Sequence, residues 1–273
     1  MPIGRCALCH VQKELVDSHF LPAASYKALR SEGFDVNEPM VMTGKRVFQS
    51  SRQITAHVFC ADCEDIFNRR GETSVLNKLA TPEVFPLRDM VAASPAILDE
   101  SDFKAFSCDA IPGFPTDRLV HLALGIFWKG AVHTWKILDG ELPRLELGPY
   151  EETIRHFVCG TGPFPKEVCL MVYLDSSTPP LIATTPPRRF RRDDFYLFAF
   201  YMNGMQCCLC VGKQAPVEFS DACMATGPGH PIFLVPEAGN TMFATLKPFT
   251  KNSTLSKGIR KTFAQWKTRR DKK

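Results

Sequence analysis

Two pairs of cysteines have the spacing in this chain that most clearly predicts a chemical role. Cys6 and Cys9 form one Cys-x-x-Cys pair, and Cys60 and Cys63 form the second. Each pair offers two sulfur atoms on one tight turn, and tetrahedral Zn²⁺ takes four such ligands. The spacing therefore predicts one structural zinc ion bound by four thiolates. The alternative interpretation is four unrelated buried cysteines.

The cysteine count and the N-terminus favour metal binding over disulfides. The chain has 11 cysteines, an odd number, so they cannot all pair within the chain. The first residues lack the apolar core of a signal peptide, and no apolar run reaches the roughly 20 residues of a membrane span. We therefore expect a cytoplasmic protein without a membrane span, whose thiols stay reduced. Reduced core residues are predicted at Cys108, Cys159, Cys169, Cys207, Cys208, Cys210 and Cys223.

A histidine and a helix lie next to the two pairs. The run Ser18-His19-Phe20-Leu21-Pro22 follows the first pair, after a short strand predicted at 14–16. Apolar residues spaced as on one helix face follow the second pair, so a helix is expected to begin there. A cysteine turn followed by a helix that carries the last ligands is the treble-clef arrangement.

The order of these motifs resembles the HNH, or ββα-metal, endonuclease superfamily in its zinc-containing form. The resemblance covers about residues 1–75: Cys6/Cys9, then Ser18-His19-Phe20-Leu21-Pro22, then Cys60/Cys63. The variant Ser-His-hydrophobic-hydrophobic-Pro with Cys-x-x-Cys-Glu resembles a group of uncharacterised bacterial HNH-like proteins that have a larger C-terminal region.

The resemblance implies a metal-dependent nuclease that hydrolyses DNA or RNA phosphodiesters, of the sort found in mobile elements or anti-phage systems. His19 would be the general base, and Glu64 and Asn68 would lie beside a catalytic Mg²⁺ or Mn²⁺. Ser18 stands where the family has Asp or His, so Asp17 or Glu72 would supply a missing carboxylate. The alternative that Ser18 favours is a catalytically inactive zinc finger that binds nucleic acid.

Basic side chains would contact the phosphates of a nucleic acid. The net charge of +4 is uneven, because the ten Lys or Arg and one Asp from Lys247 onward give +9 and leave −5 elsewhere. The candidate contacts are Arg52, Arg188, Arg189, Arg191, Arg192, Lys257, Arg260 and Lys261. Apolar residues spaced from Leu255 to Trp266 predict a basic amphipathic helix in the tail. A protein–protein adaptor that docks through this helix is a further alternative, and the oligomeric state stays open.

The pattern of elements predicts an α+β protein in four parts. These are a zinc module at 1–80, an irregular connector at 81–116, an α+β region at 117–246 and the tail helix at 247–273. The α+β region is expected to contain a helix at 117–138 and an antiparallel sheet. Asn203-Gly204 between two apolar runs predicts a hairpin with a type I′ turn.

Overall fold

The computed structural model describes most of the chain. It covers residues 1–29, 39–43, 45–190, 195–213, 216–242, 244 and 254–255. The predicted α+β class is confirmed, because a large sheet and several helices form the fold.

A small antiparallel sheet begins the chain and carries the first cysteine pair. Its strands are β1 (Ile3–Arg5), β2 (Gln12–His19) and β5 (Thr55–Cys60), in the order β1-β2-β5. Strand β2 contains the strand predicted at 14–16 and extends it to His19, which pairs with Thr55. Helix α1 (Ala61–Phe67) follows β5 directly, as the sequence predicted.

The segment between β2 and β5 contains short elements. A 3₁₀ turn at Ala23–Tyr26 follows β2. Beyond it, β3 (Met40–Met42) and β4 (Arg46–Gln49) form a second small sheet with β15 (Thr254–Leu255). Leu255 was predicted to begin the tail helix and lies in a strand instead, because its backbone pairs with β4. The remaining residues of that helix lie outside the described residues.

The helix after the second cysteine pair changes pitch as it continues. A π-helical turn at Asn68–Glu72 follows α1, then α2 (Thr73–Val75) and a 3₁₀ turn at Leu76–Lys78. Gly71 in the π-helical turn lies against another helix so closely that a Cβ atom there would come within 3.0 Å of the backbone of Leu122. Such turns often occur at functional sites.

The segment at 81–116, predicted to be an irregular connector, contains regular structure. It forms α3 (Pro86–Ala92), β6 (Leu98–Asp99), β7 (Lys104–Ser107) and a 3₁₀ turn at Cys108–Ala110. Strands β6 and β7 add to one edge of the large sheet. The pairing of β7 with β14 is non-local, so the short proline-rich segment gave no sign of it. The division of the chain into four parts remains a prediction.

Helix α4 (Thr116–Val132) crosses the middle of the protein and is buried along most of its length. It ends six residues before the predicted end at 138, because the chain turns there into the hairpin of β8 (Lys136–Ile137) and β9 (Gly140–Glu141). Helix α5 (Tyr150–Cys159) packs against α4 and ends at Gly160, whose φ of 81° forms a left-handed cap.

The large sheet has seven strands in the order β11-β12-β13-β10-β14-β7-β6. The strands not yet placed are β10 (Val168–Asp175), β11 (Thr184–Phe190), β12 (Tyr196–Met202), β13 (Met205–Val211) and β14 (Pro231–Val235). The predicted hairpin is confirmed, with φ of 45° at Asn203 and 85° at Gly204. The sheet is mixed rather than wholly antiparallel, because β10 and β14 run parallel. Helix α6 (Val217–Asp221) lies beside β10.

Buried side chains from the small sheet, α4 and the large sheet form one continuous core. The rings of Phe59 and Phe67 lie 5.8 and 6.3 Å from that of Trp128, and Phe127 on α4 lies 5.0 Å from Phe200 on β12. Helix α4 therefore connects the cysteine turns to the large sheet.

Gly204→Ala should cost about 2 to 4 kcal/mol of unfolding free energy, from left-handed strain and overpacking together. A Cβ atom there would lie 2.6 Å from Phe85 and 2.9 Å from Ala80. Gly113→Ala is the matched control, because Gly113 has a φ of 68° with nothing within 4 Å. It should cost about 1 kcal/mol. Urea denaturation measures both, and equal losses would contradict the steric argument.

Candidate functional site

The four cysteines of the two pairs lie together in space. Cys6 and Cys9 occupy the turn between β1 and β2, Cys60 ends β5, and Cys63 lies in the first turn of α1. Their sulfur atoms all lie within 4.8 Å of one another, and those of Cys9 and Cys60 are 4.0 Å apart. Zn–S bonds of about 2.3 Å in a tetrahedron place sulfurs about 3.8 Å apart. The cluster could therefore hold one metal ion such as zinc.

The protonation states of the four thiols are also compatible with a bound cation. The backbone N–H of Cys60 donates to the sulfur of Cys6 over 3.4 Å. A hydrogen bond from the Cys63 thiol lowers the pKa of Cys6 to about 4, and the same hydrogen bond raises the pKa of Cys63. Ionisation of one thiol, that of Cys6, is thus favoured. The negative charge of that thiolate opposes ionisation of a second thiol. A bound cation would favour deprotonation of all four thiols.

The cysteines outside the two pairs are buried, except for the half-buried Cys159, and none forms a disulfide. This agrees with the prediction of reduced core residues. Within the described part of the chain, only Cys6, Cys9, Cys60 and Cys63 form a group of three or more His, Cys, Asp or Glu side chains close enough to share a metal.

The predicted catalytic residues His19 and Glu64 lie near a second carboxylate, Glu72. Glu72 is half-buried at the end of the π-helical turn, and this partial burial raises the pKa of its carboxyl group. Glu64 also raises this pKa through its charge, and His19 and Lys129 lower it. Glu72 therefore interacts electrostatically with both His19 and Glu64, which are 45 positions apart along the chain.

Lys129 is the residue of this site that sequence reasoning missed. Its side chain is only 2% exposed, although it carries a charge. Its Nζ donates to the carbonyl oxygen of His19 over 3.1 Å, lies 3.7 Å from a carboxylate oxygen of Glu72 and lies 4.1 Å from the centre of the Phe67 ring. The available signal was a single lysine inside the apolar stretch of α4, since a buried lysine needs a partner.

A cavity of about 950 Å³, here called the acidic cleft, opens beside these residues. Glu64, Asp65, Asn68 and Glu72 line one part of it, and the 3₁₀ turn with Lys27 lines another. Among the described residues, the enclosed Oε1 atom of Glu64 has no hydrogen-bond partner. The side-chain oxygen of Asn68 accepts a hydrogen bond from Thr73 over 2.7 Å. These oxygens are of the type that Mg²⁺ or Mn²⁺ prefers.

Ser18 does not join this group. Its side chain is fully buried, and its hydroxyl donates to the carbonyl oxygen of Val16 over 3.3 Å. Adjacent residues of a strand point to opposite faces, so Ser18 and His19 diverge. Ser18, which the resemblance places beside the cation, thus uses its hydroxyl in a hydrogen bond to its own strand.

The predicted phosphate contacts are scattered. Arg52 is exposed, in the segment before β5. Arg189 pairs with Glu146 at 2.8 Å and stacks on the Tyr196 ring, and burial lowers the pKa of its neighbour Arg188. Arg189 is therefore held by an ion pair and a ring contact, and Arg188 is half-buried. Five further predicted contacts lie outside the described residues: Arg191, Arg192, Lys257, Arg260 and Lys261.

Comparison with known proteins assigns no family to this chain. No protein-family model, no curated protein and no solved structure matches the chain. In the part of the chain that the structure describes, none of the helices combines the length and the apolar character needed to cross a bilayer.

We expect the purified protein to contain about one zinc ion per chain and Cys60→Ser to lose most of it, because three thiolates bind zinc more weakly than four. Cys108→Ser is the control, since Cys108 is buried outside the cluster. Plasma mass spectrometry measures the metal. Equal zinc in Cys60→Ser and wild type, or none in wild type, would contradict the assignment.

The unfolding free energy of Glu72→Gln minus that of wild type should increase as the pH rises from about 4.5 toward 7. Burial holds the pKa of folded Glu72 above its ordinary 4.5, so the carboxyl ionises more easily in the unfolded chain. Wild type therefore loses this contribution as the pH rises through that window, and the difference levels off above the folded-state pKa. Urea unfolding at several pH values tests this, with Glu218→Gln at an exposed glutamate as the control. A pH-independent difference between wild type and Glu72→Gln would be the contrary result.

Proposed function

We propose that this protein is a metal-dependent nuclease of the HNH type that hydrolyses phosphodiesters of DNA or RNA. One observation carries the proposal: Glu72 interacts with both His19 and Glu64, Glu64 and Glu72 line a large cleft, and a carboxylate oxygen of Glu64 is enclosed without a partner among the described residues. An unpaired buried carboxylate oxygen is costly, and a cation would satisfy it.

The local order of elements supports this proposal. Antiparallel strands β2 and β5 lead directly into α1, and the cysteine pairs lie at the turn before β2 and at the start of α1. A ββα-metal unit of the treble-clef type has the same order. In the proposal, zinc bound by Cys6, Cys9, Cys60 and Cys63 is structural, and it fixes the end of β5 where α1 begins.

The residues that line the acidic cleft, together with the nearby His19, suit hydrolysis. The His19 imidazole would accept a proton from the attacking water as a P–O bond forms. Glu64, Glu72 and Asn68 would hold a Mg²⁺ or Mn²⁺ ion, which when bound supplies positive charge for the phosphate and the leaving oxygen. Lys129 would keep His19 in place, because it bonds the backbone carbonyl of His19 and leaves the imidazole free.

A second candidate is a zinc-bound nucleic-acid-binding protein without catalysis. The buried hydroxyl of Ser18 favours it, because Ser18 bonds to Val16 and offers nothing to a cation. Binding without cleavage would then depend on exposed basic residues such as Arg52, and it would weaken steeply with salt.

Wild type should nick plasmid DNA or cleave RNA with Mg²⁺ or Mn²⁺, and His19→Ala should lower the rate by about 100-fold or more. The bond from Lys129 goes to the backbone of residue 19, so this variant keeps it. Glu64→Gln should also lower the rate and raise the metal concentration required. His57→Ala is the control, because His57 is an exposed histidine on β5.

Equal rates for wild type and His19→Ala would remove His19 as the base. A zinc-loaded wild type that shifts nucleic acid in a gel but never cleaves it would favour the second candidate.

A further inference from the structure

A second cavity, of about 410 Å³, lies beside the same π-helical turn. Arg70 from this turn lines it, together with the first residues of α4 and aromatic residues at and after the end of α5. We call it the arginine cavity, and its principal lining residues are Arg70, Asp117, Arg118, His121, Phe157 and Phe164. Its volume is within the range of about 300 to 1,000 Å³ that small-molecule sites occupy.

Two guanidinium groups give the arginine cavity a positive charge. Arg70 packs directly on Gly160, where an added Cβ atom would overlap its guanidinium. Among the described residues, Arg70 has no hydrogen-bond or ion-pair partner. Arg118 donates to the carbonyl oxygen of Arg69 over 2.9 Å. Asp117 is the acidic residue of the lining, so the two arginines leave a net positive charge.

The N-terminus of α4 adds backbone donors to the same wall. Pro115 precedes this 17-residue helix, and no side chain caps it. Asp117 and Arg118 lie in the first turn of the helix, where backbone N–H groups have no intrahelical acceptor. Free N–H groups and the helix dipole favour a bound anion. Together with the arginines, they match a phosphate group.

His121 on the same wall has an acceptor atom that needs a hydrogen-bond donor, which is a second and independent observation. Its side chain is 2% exposed, and its Nε2 atom lies 2.9 Å from the carbonyl oxygen of Val158. A carbonyl only accepts, so Nε2 carries the proton and Nδ1 is an acceptor. Burial lowers the pKa of His121 to about 4, which keeps the ring neutral near pH 7. Nδ1 is enclosed and has no hydrogen-bond partner in the described part of the chain. A ligand with a hydroxyl or N–H donor would satisfy it.

Aromatic side chains complete the cavity. The rings of Phe157 and Phe164 are half-buried and meet edge to face, with centres 5.6 Å apart. Phe157 also lies 6.2 Å from the His121 ring. Partly exposed phenyl rings favour a flat aromatic group in the ligand.

We propose that the arginine cavity binds a free nucleoside monophosphate. Arg70, Arg118 and the N-terminus of α4 would hold the phosphate, the sugar or base would donate to His121 Nδ1, and the base would lie against Phe157 and Phe164. A nucleoside monophosphate combines the three required features: an anion, a hydrogen-bond donor and an aromatic ring. The proposal does not depend on nuclease activity, because it uses different side chains from the acidic cleft.

Titration calorimetry of the full chain with AMP, GMP, CMP and UMP tests the proposal. At least one should bind saturably with a Kd below about 1 mM. The matching nucleoside, inorganic phosphate and a 5′-phosphorylated oligonucleotide should each bind at least about tenfold more weakly. Arg70→Met and Arg118→Met should each weaken the nucleotide by about tenfold or more.

Arg69→Met is the matched control, because Arg69 is exposed, pairs with Asp65 at 2.6 Å and does not line the cavity. It should bind like wild type. Circular dichroism checks the fold of each variant, and two arginine variants keep the test decisive if one fails to fold. The proposal is overturned if none of the four nucleotides binds, if folded Arg70→Met or Arg118→Met binds like wild type, or if phosphate, the nucleoside or the oligonucleotide binds as tightly.

Discussion

The four-cysteine cluster is the constraint on which the N-terminal part of this protein depends. It joins the turn after β1 to the start of α1, across 51 residues between Cys9 and Cys60. That closure sets where β5 ends and α1 begins, and so where Glu64 lies relative to His19. Metal binding of this kind supplies about 10 to 16 kcal/mol in small zinc domains. Protonated thiols alone would hold the two turns far more weakly.

Helix α4 transmits this geometry to the rest of the molecule. Its Trp128 packs against Phe59 and Phe67 beside the cysteine turns, and its Phe127 packs against the large sheet. Lys129 from the same helix bonds the backbone of His19 and faces Glu72. A displaced α4 would therefore disturb the core and the acidic cleft together.

Both cavities contain enclosed polar atoms that the folded chain leaves without a hydrogen-bond partner among the described residues. Lys129 and Glu72 compensate each other, but an oxygen of Glu64 and the Nδ1 atom of His121 are enclosed without a partner among the described residues. Such groups oppose folding unless something satisfies them. In the two proposals, a cation at Glu64 and a hydrogen-bond donor at His121 would satisfy these groups, and each cavity would take a different ligand.

The sequence by itself determined the features that depend on neighbours in the chain. The cysteine spacing, the helix after Cys60 and the Asn203-Gly204 turn all follow from local geometry. The tertiary structure alone decided the rest. The pairing of β7 with β14, the parallel pairing of β10 with β14, and the contact of Lys129 with Glu72 join residues far apart in the chain. No local periodicity records which distant partner a strand or a side chain will meet.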